Sequence, residues 1–318
     1  LPDQLEYRGH AVRTGVRESG IPLSDIAAVV GRGGLLKPLP GGVYEVNERM
    51  KADLLSCRYG VHASNLGGLI ADSLAAELGV KAFIVDPVVV DELDALARRS
   101  GIPEIPRRSI FHALNQKATA KKAARSLGKP YGGCVLIVAH MGGGTSVGLH
   151  VDGRVVDVNN ALDGDGPLAI ERAGTVPAGD WMRWVLSHQH DPQALQLMLT
   201  GRGGLVAYVG SNDFAALERI AAAMDDQKAL AADELIRTLC YQVAKAIAAL
   251  AAFTGGRVDG VVLTGGLAYS TRVVSEVTDR VSFLAPVLVF PGENELEALA
   301  QGAREVLLGE AKALTYEG

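Results

Sequence analysis

A chain of 318 residues, 48% of them hydrophobic and 21% charged, has the make-up of a folded globular protein and enough length for two domains with separate cores. Its formal net charge of −5 argues against a nucleic-acid binder, which needs a basic stripe to neutralise phosphates; the pairs Lys121-Lys122 and Arg107-Arg108 read as solvated helix faces. Cys57, Cys134 and Cys240 have neither disulfide nor zinc spacing, and no apolar run approaches the roughly 18 residues of a membrane span, so a cytoplasmic protein that binds no membrane is expected.

Hydrophobic periodicity predicts alternating helices and strands. A helix near 3–18 leads through Gly20-Ile21-Pro22 to a strand at 26–30, which ends in Gly31-Arg32-Gly33-Gly34. A strand at 43–46 precedes a helix for which Asn47 is the N-cap. Helix 64–78 is followed by a buried strand, 81–85, closed by Asp86-Pro87, and Ala, Lys and Arg content predicts a helix over roughly 111–127. Gly128-Lys129-Pro130 breaks the pattern and sets the expected boundary between an N-terminal domain, 1–128, and a second domain, 129–295, with the last helix, 296–318, packing back on the first. Strands at 134–139, 145–151 and 154–158 come next, the last two joined by the hairpin signal Asp152-Gly153. The turn Met141-Gly142-Gly143-Gly144 then joins two antiparallel strands. Rossmann and P-loop sites place their glycines between a strand and a helix, so both folds are disfavoured. An Ala-rich helix at 227–253, a strand running through Thr264-Gly265-Gly266 into a helix, a strand at 286–290 and a final helix with acidic first residues complete the chain. It opens without methionine, and further sequence is expected ahead of Leu1.

His140 with Gly142-Gly143-Gly144-Thr145-Ser146 is the main chemical signal. Glycine lets backbone N–H groups converge on an anion, and a plain turn needs one or two glycines, not three followed by two hydroxyls. Thr264-Gly265-Gly266 reads equally as a phosphate loop or as close helix–strand packing. Arg32 sits at a strand end, where a guanidinium can fork onto a carboxylate or phosphate, although Gly201-Arg202-Gly203-Gly204 repeats its setting. On composition alone Arg172 is surface charge and His112 a half-buried helix-start histidine. Asp86 reads equally as a strand-end catalytic or metal carboxylate and as a turn residue before Pro87. His188 and His190, two positions apart on a helix, point to different sides and make no metal site.

Taken in order, Phe111-His112-Ala113-Leu114-Asn115-Gln116-Lys117, Ala139-His140-Met141-Gly142-Gly143-Gly144-Thr145-Ser146, Glu171-Arg172-Ala173-Gly174-Thr175 and Leu263-Thr264-Gly265-Gly266 resemble the motifs of the acetate and butyrate kinase family. The stretches Gly31-Arg32-Gly33-Gly34-Leu35-Leu36-Lys37-Pro38 and Pro291-Gly292-Glu293-Asn294-Glu295 are similar to its butyrate branch in particular. The resemblance implies the fold of the actin, sugar kinase and heat-shock chaperone superfamily: α/β, with two ribonuclease-H-like domains, mixed sheets flanked by helices and a nucleotide cleft between them. It implies ATP or ADP and Mg2+ as cofactors, a short-chain carboxylate or acyl phosphate as partner, and a homodimer or higher homo-oligomer. The implied reaction is reversible phosphoryl transfer from ATP to butyrate, with branched-chain, propionate or acetate acceptors as alternatives.

Residue by residue, the resemblance implies that Arg32 and Arg172 hold the carboxylate and the transferring phosphoryl group, with His112 bonding its oxygens. His140, Gly142, Gly143, Gly144 and Thr145 would form a phosphate loop, while Thr264, Gly265 and Gly266 would border the adenosine. Asp86 and Glu295 would serve magnesium, with Glu293 as the alternative to Glu295. Gly33, Gly34 and Phe111 would line the acyl pocket. Gly34 stands where acetate kinases tend to carry a β-branched residue, so its missing side chain is expected to leave room for a longer tail. Gln116 replaces a second histidine of acetate kinases, and the family's first phosphate-loop hairpin is expected ahead of Leu1. The reading from another class is a non-catalytic ATP-dependent switch or degenerate kinase; Arg32, Arg172 and His112 speak against it, because a switch has no use for a second anion site.

Overall fold

Two mixed sheets take up the strands of the computed structural model, which describes residues 2–187, 191–223 and 226–318. His188 and His190 lie outside the described residues. One compact unit comprises the chain up to Glu92 with Ala113–Lys117 and Asn294–Gly318; the other comprises Leu93–His112 and Ala118–Glu293.

In the first unit the strand order is β1-β3-β2-β9, from β1 (Ala28–Gly31), β2 (Val43–Glu45), β3 (Lys81–Val85) and β9 (Leu314–Thr315). β3 runs parallel to β1 and antiparallel to β2, and β9 adds a parallel edge to β2. Ala82 to Val85 are all buried, as expected of a central strand covered on both faces. Phe83 and Val85 pack with Leu299 and Ala303 of the helix Glu295–Leu307, while Ala82 packs with Ala71 and Ala75 of the helix Asn65–Leu78. Burying each such large aliphatic or aromatic side chain contributes about 1.5–3 kcal/mol, which ties the C-terminal helix to this sheet. Asn47 caps the helix Glu48–Leu55 by accepting from Met50 N–H, as its position after a strand predicts.

The second sheet has the order β6-β5-β4-β7-β8, from β4 (Val135–Met141), β5 (Thr145–Val151), β6 (Arg154–Val158), β7 (Gly260–Gly265) and β8 (Val287–Pro291). An antiparallel meander, β4-β5-β6, is extended by β7 and β8 running parallel to β4. Asp152 (φ 50°) and Gly153 (φ 83°) form the hairpin turn with the two left-handed residues that it requires. The alternation along β4 sends Ile137, Ala139 and Met141 into a core with Leu239 and Val243 of the helix Gln227–Leu250 and Val273 and Val277 of the helix Thr271–Val281. Leu136 and Val138 face the opposite side, against Ala120, Ala123 and Ala124 of the helix Ala113–Ser126. Both units are thus mixed sheets flanked by helices, the expected α/β class.

Two sequence expectations need correction here, and one group of helices was missed. The units do not part at Gly128: alanines 120, 123 and 124 pack on β4, so the helix from Ala118 onward belongs with the second sheet. The segment Gln227–Thr254 is long and apolar enough to cross a membrane, contrary to the reading of the sequence. Its apolar stripe, however, is buried in the core at Ile236, Leu239, Val243 and Ile247, and its Asp233 is paired with Arg272, which is the pattern of a core helix. Lastly, helices Ala178–Ser187, Pro192–Thr200, Gly204–Val209 and Phe214–Ala223 were not foreseen, since segments this short hold barely two or three turns of periodicity.

Candidate active site

The glycine turn between β4 and β5 is where the second unit gathers its candidate functional side chains. None of Gly142, Gly143 and Gly144 has positive φ, so geometry of the turn is not what demands glycine. Space is: the Arg172 guanidinium occupies the volume that a Cβ on Gly144 would need. The segment before Arg172 is stitched to the same turn, with Glu171 N–H donating to Gly143 O at 3.0 Å, and Arg172 Nη1 itself donates to Ala161 O. Gly142 N–H is spent inside the turn on Gly144 O at 3.1 Å, so convergence of all three amides on one anion does not hold. Arg172, anonymous by composition, therefore belongs to this turn.

His140, on β4 just ahead of the glycines, is 1% exposed, and its ring stacks on His112 at 3.8 Å between centroids with 11° between planes. Burial, reinforced by the Arg172 charge, pushes the His140 pKa down from 6.5 to about 3, so the ring is neutral at physiological pH. The 3.7 Å approach of Glu293 Oε1 to His140 Nε2 is accordingly a contact with a neutral ring, not an ion pair. Burial likewise pulls Arg172 below its ordinary pKa, with Glu171 and Asp163 opposing. Arg172 still carries its charge, because an arginine starts so far above neutrality. His112 Nδ1 lies 2.9 Å from Ser146 Oγ, which fixes the imidazole plane.

Thr145 Oγ1 is, among the described residues, a buried polar atom without a hydrogen-bond partner. Such an atom carries a cost that a bound polar group would relieve. Thr264, by contrast, is fully buried and its hydroxyl donates to Gly292 O at 3.1 Å. A Cβ on Gly265 (φ 86°) would overlap the Met141 backbone, whereas one on Gly266 would meet nothing within 4 Å. Of that trio only Gly266 offers open surface; Thr264 and Gly265 shape the backbone beneath it. Phe111, which belongs to the same unit, is buried at 2% exposure.

The first unit holds Arg32, Gly33, Gly34, Asp86 and Glu295. Arg32 follows β1, its side chain half exposed, with Nη1 3.1 Å from Glu295 Oε2. Asn65 fills the space beside Gly34, where a Cβ would overlap the Asn65 backbone and Oδ1; at Gly33 it would press on Pro87 and Ile84. The expectation that Gly34 leaves room for an acyl tail is therefore corrected: the glycine permits close packing, and the vacated volume is already taken. Asp86 is 8% exposed with φ 37°, and its Oδ1 accepts from Gly42 N–H at 2.7 Å. Among the described residues no three His, Cys, Asp or Glu side chains gather to hold a metal. Mg2+ needs no such cage, since it keeps several waters and takes one or two carboxylates plus phosphate oxygens. Asp86, a hard oxygen donor on a rigid strand end, fits that need, while Glu295 is engaged by Arg32. Ser146, Glu171 and Asn212, whose Nδ2 donates to Glu171 Oε1 at 2.8 Å, were given no role by the sequence reading. Ser146 lay inside the quoted glycine motif and could have been found there.

The sequence signature described as the Acetokinase family matches residues 96–307. Butyrate kinase 1 of Clostridium acetobutylicum is 49% identical over 315 residues, covering 99% of this chain and 88% of that one. Among solved structures, acetate kinase of Porphyromonas gingivalis superposes with a TM-score of 0.75 at 20% identity, over 89% of this chain and 79% of that one. Acetate kinase of Entamoeba histolytica does so with a TM-score of 0.75 at 17% identity, over 93% and 85%.

Proposed function

The chain belongs to the acetokinase family, and from that premise we propose that it is a carboxylate kinase that transfers a phosphoryl group reversibly between ATP and butyrate. The observation that carries this reading is the Arg172 guanidinium lodged against Gly144, beside the neutral His140 and the stacked His112. A fixed cation on a glycine turn, flanked by uncharged imidazoles, suits a phosphoryl group whose charge spreads over three equatorial oxygens.

The carboxylate nucleophile is already anionic at neutral pH, so its attack on phosphorus needs no general base. What the protein must supply is alignment and charge. Arg32 would hold the carboxylate, and its partial exposure leaves a fork of N–H donors to offer. Arg172 would neutralise the phosphoryl oxygens, and His112, its plane set by Ser146, would bond one of them. His140 with Gly142, Gly143, Gly144 and Thr145 would form the phosphate turn, and Gly266 would lie against the adenosine, with Thr264 and Gly265 supporting it from below. Asp86 and Glu295 would hold Mg2+, directly or through water, and the ion would supply charge that screens the phosphates. In domain terms the first unit serves the acyl substrate and the second the nucleotide. The proposal includes a cytoplasmic setting, for which the three free cysteines speak, and a homodimer or larger assembly, checked by light scattering.

Acyl-hydroxamate formation with purified protein, ATP, Mg2+ and a series of acids tests the reading. Butyrate is expected to be turned over with a higher kcat/KM than acetate, propionate or isobutyrate. Preference for acetate would overturn the acyl assignment, and ATP binding without product from any acid would favour the non-catalytic switch.

A further inference from the structure

We propose that Tyr316 is a positioning residue for Arg32, so that the C-terminal segment is built into the carboxylate site; this rests on the role given to Arg32 above. The loop after β1 must present a guanidinium at a fixed place, yet residues 33 and 34 are glycines and Arg32 itself is half exposed. Its backbone is held from outside. Gly31 and Arg32 lie so close to Gly67 that a Cβ on Gly67 would overlap the Arg32 backbone. Leu35 N–H donates to Asn65 Oδ1 at 2.8 Å, and Lys37 N–H donates to Tyr316 Oη at 3.2 Å.

Tyr316 has the means to hold that amide in one place. It is 3% exposed, and its hydroxyl donates to Asp53 Oδ2 at 2.8 Å, which turns an oxygen lone pair toward Lys37. Burial and the Asp53 charge push its pKa up, so the proton stays on the phenol. The tail carrying it is fixed in turn: β9 pairs with β2, and Asn47 Nδ2 donates to Tyr316 O at 2.9 Å. At the other end of the same C-terminal segment, Glu295 takes the Arg32 side chain. The segment therefore brackets the Arg32 loop, by a carboxylate on the guanidinium and by a phenol on the backbone five residues later.

A fork of donors onto a carboxylate loses most of its value when its base shifts by an ångström. Tyr316→Phe keeps the ring and removes both hydroxyl bonds, and is expected to raise the butyrate KM roughly fivefold, the worth of about one hydrogen bond. The ATP KM is expected to stay within twofold, since the loop bears on only one substrate. Asp53→Asn retains an oxygen that accepts from Tyr316 and is expected to keep a near-normal butyrate KM. Combined with Arg32→Ala, Tyr316→Phe is expected to add nothing, because residues that act through one another are not additive. Equal rises in both KM values alongside a fall in Tm would overturn the proposal in favour of a general stabilising role. So would an unchanged butyrate KM in Tyr316→Phe when Arg32→Ala raises it; if Arg32→Ala leaves it unchanged, the assignment of Arg32 falls and this proposal with it.

Discussion

Arg32 and Arg172 are the same residue in opposite settings. Arg32 is half exposed, paired with Glu295 and placed by a loop whose restraints come from distant segments. Arg172 is partly buried, bonded to the Ala161 carbonyl and packed on the glycine turn that a side chain at 144 would block. An exposed guanidinium can release its partner and re-form on an incoming carboxylate at little cost, because a solvated ion pair is worth only about 0–1 kcal/mol. A partly desolvated one is pre-aimed, and its field is less diluted by water. The contrast fits the division of labour proposed above, with exchange of the acid at Arg32 and stabilisation of charge in transit at Arg172.

The largest effect expected from breaking this contrast is in Arg172→Ala. Its kcat/KM should fall by about 10³-fold or more while the ATP dissociation constant, measured by calorimetry, moves less than tenfold. A loss confined to ATP affinity would show that Arg172 only binds. Next comes the turn itself: Gly144→Ala displaces Arg172 and should cost roughly 10²-fold in kcat, whereas Gly143→Ala, whose Cβ meets Glu171 Oε2 at 3.4 Å, should stay within about threefold. Equal losses at both positions would mean that the turn tolerates no side chain for some other reason. At the exposed site, Arg32→Lys should raise the carboxylate KM roughly tenfold, since an ammonium lacks the planar fork, and Glu295→Gln should move it about threefold or less.

The smallest effect is on stability. The folded pKa of His140, about 3, lies below its ordinary 6.5, so between these values the unfolded chain binds the extra proton. The stabilisation is complete above pH 6.5 and is lost on acidification, by about 2 kcal/mol at pH 5. Urea unfolding at the two pH values should show this slope, and His140→Gln should flatten it. Because burial precedes the Arg172 charge among its causes, Arg172→Ala should flatten it only in part.

Legibility followed the range of the interactions involved. The meander, the Asp152-Gly153 hairpin and the Asn47 cap were readable because each is decided within a few residues. His140 and the glycines were readable as a unit for the same reason. Arg172 was not, because its burial depends on a turn 28 residues earlier, and only the family resemblance singled it out. Gly34 was misread for an instructive cause: an absent side chain says that something is close or that something is open, and Asn65 decides which. Tyr316 was invisible, since neither a two-residue strand nor a bond to Lys37 leaves any trace in periodicity.

Asp86 keeps φ at 37°, a left-handed backbone that costs a residue with a Cβ roughly 1 kcal/mol or more and a glycine nothing. Glycine would relieve that strain but would also release the Gly42 N–H from its 2.7 Å bond to Asp86 Oδ1, a loss of about 1–3 kcal/mol that offsets the gain. On the magnesium role proposed above, position 86 is where a survey of variants that fold but lose activity should first be searched.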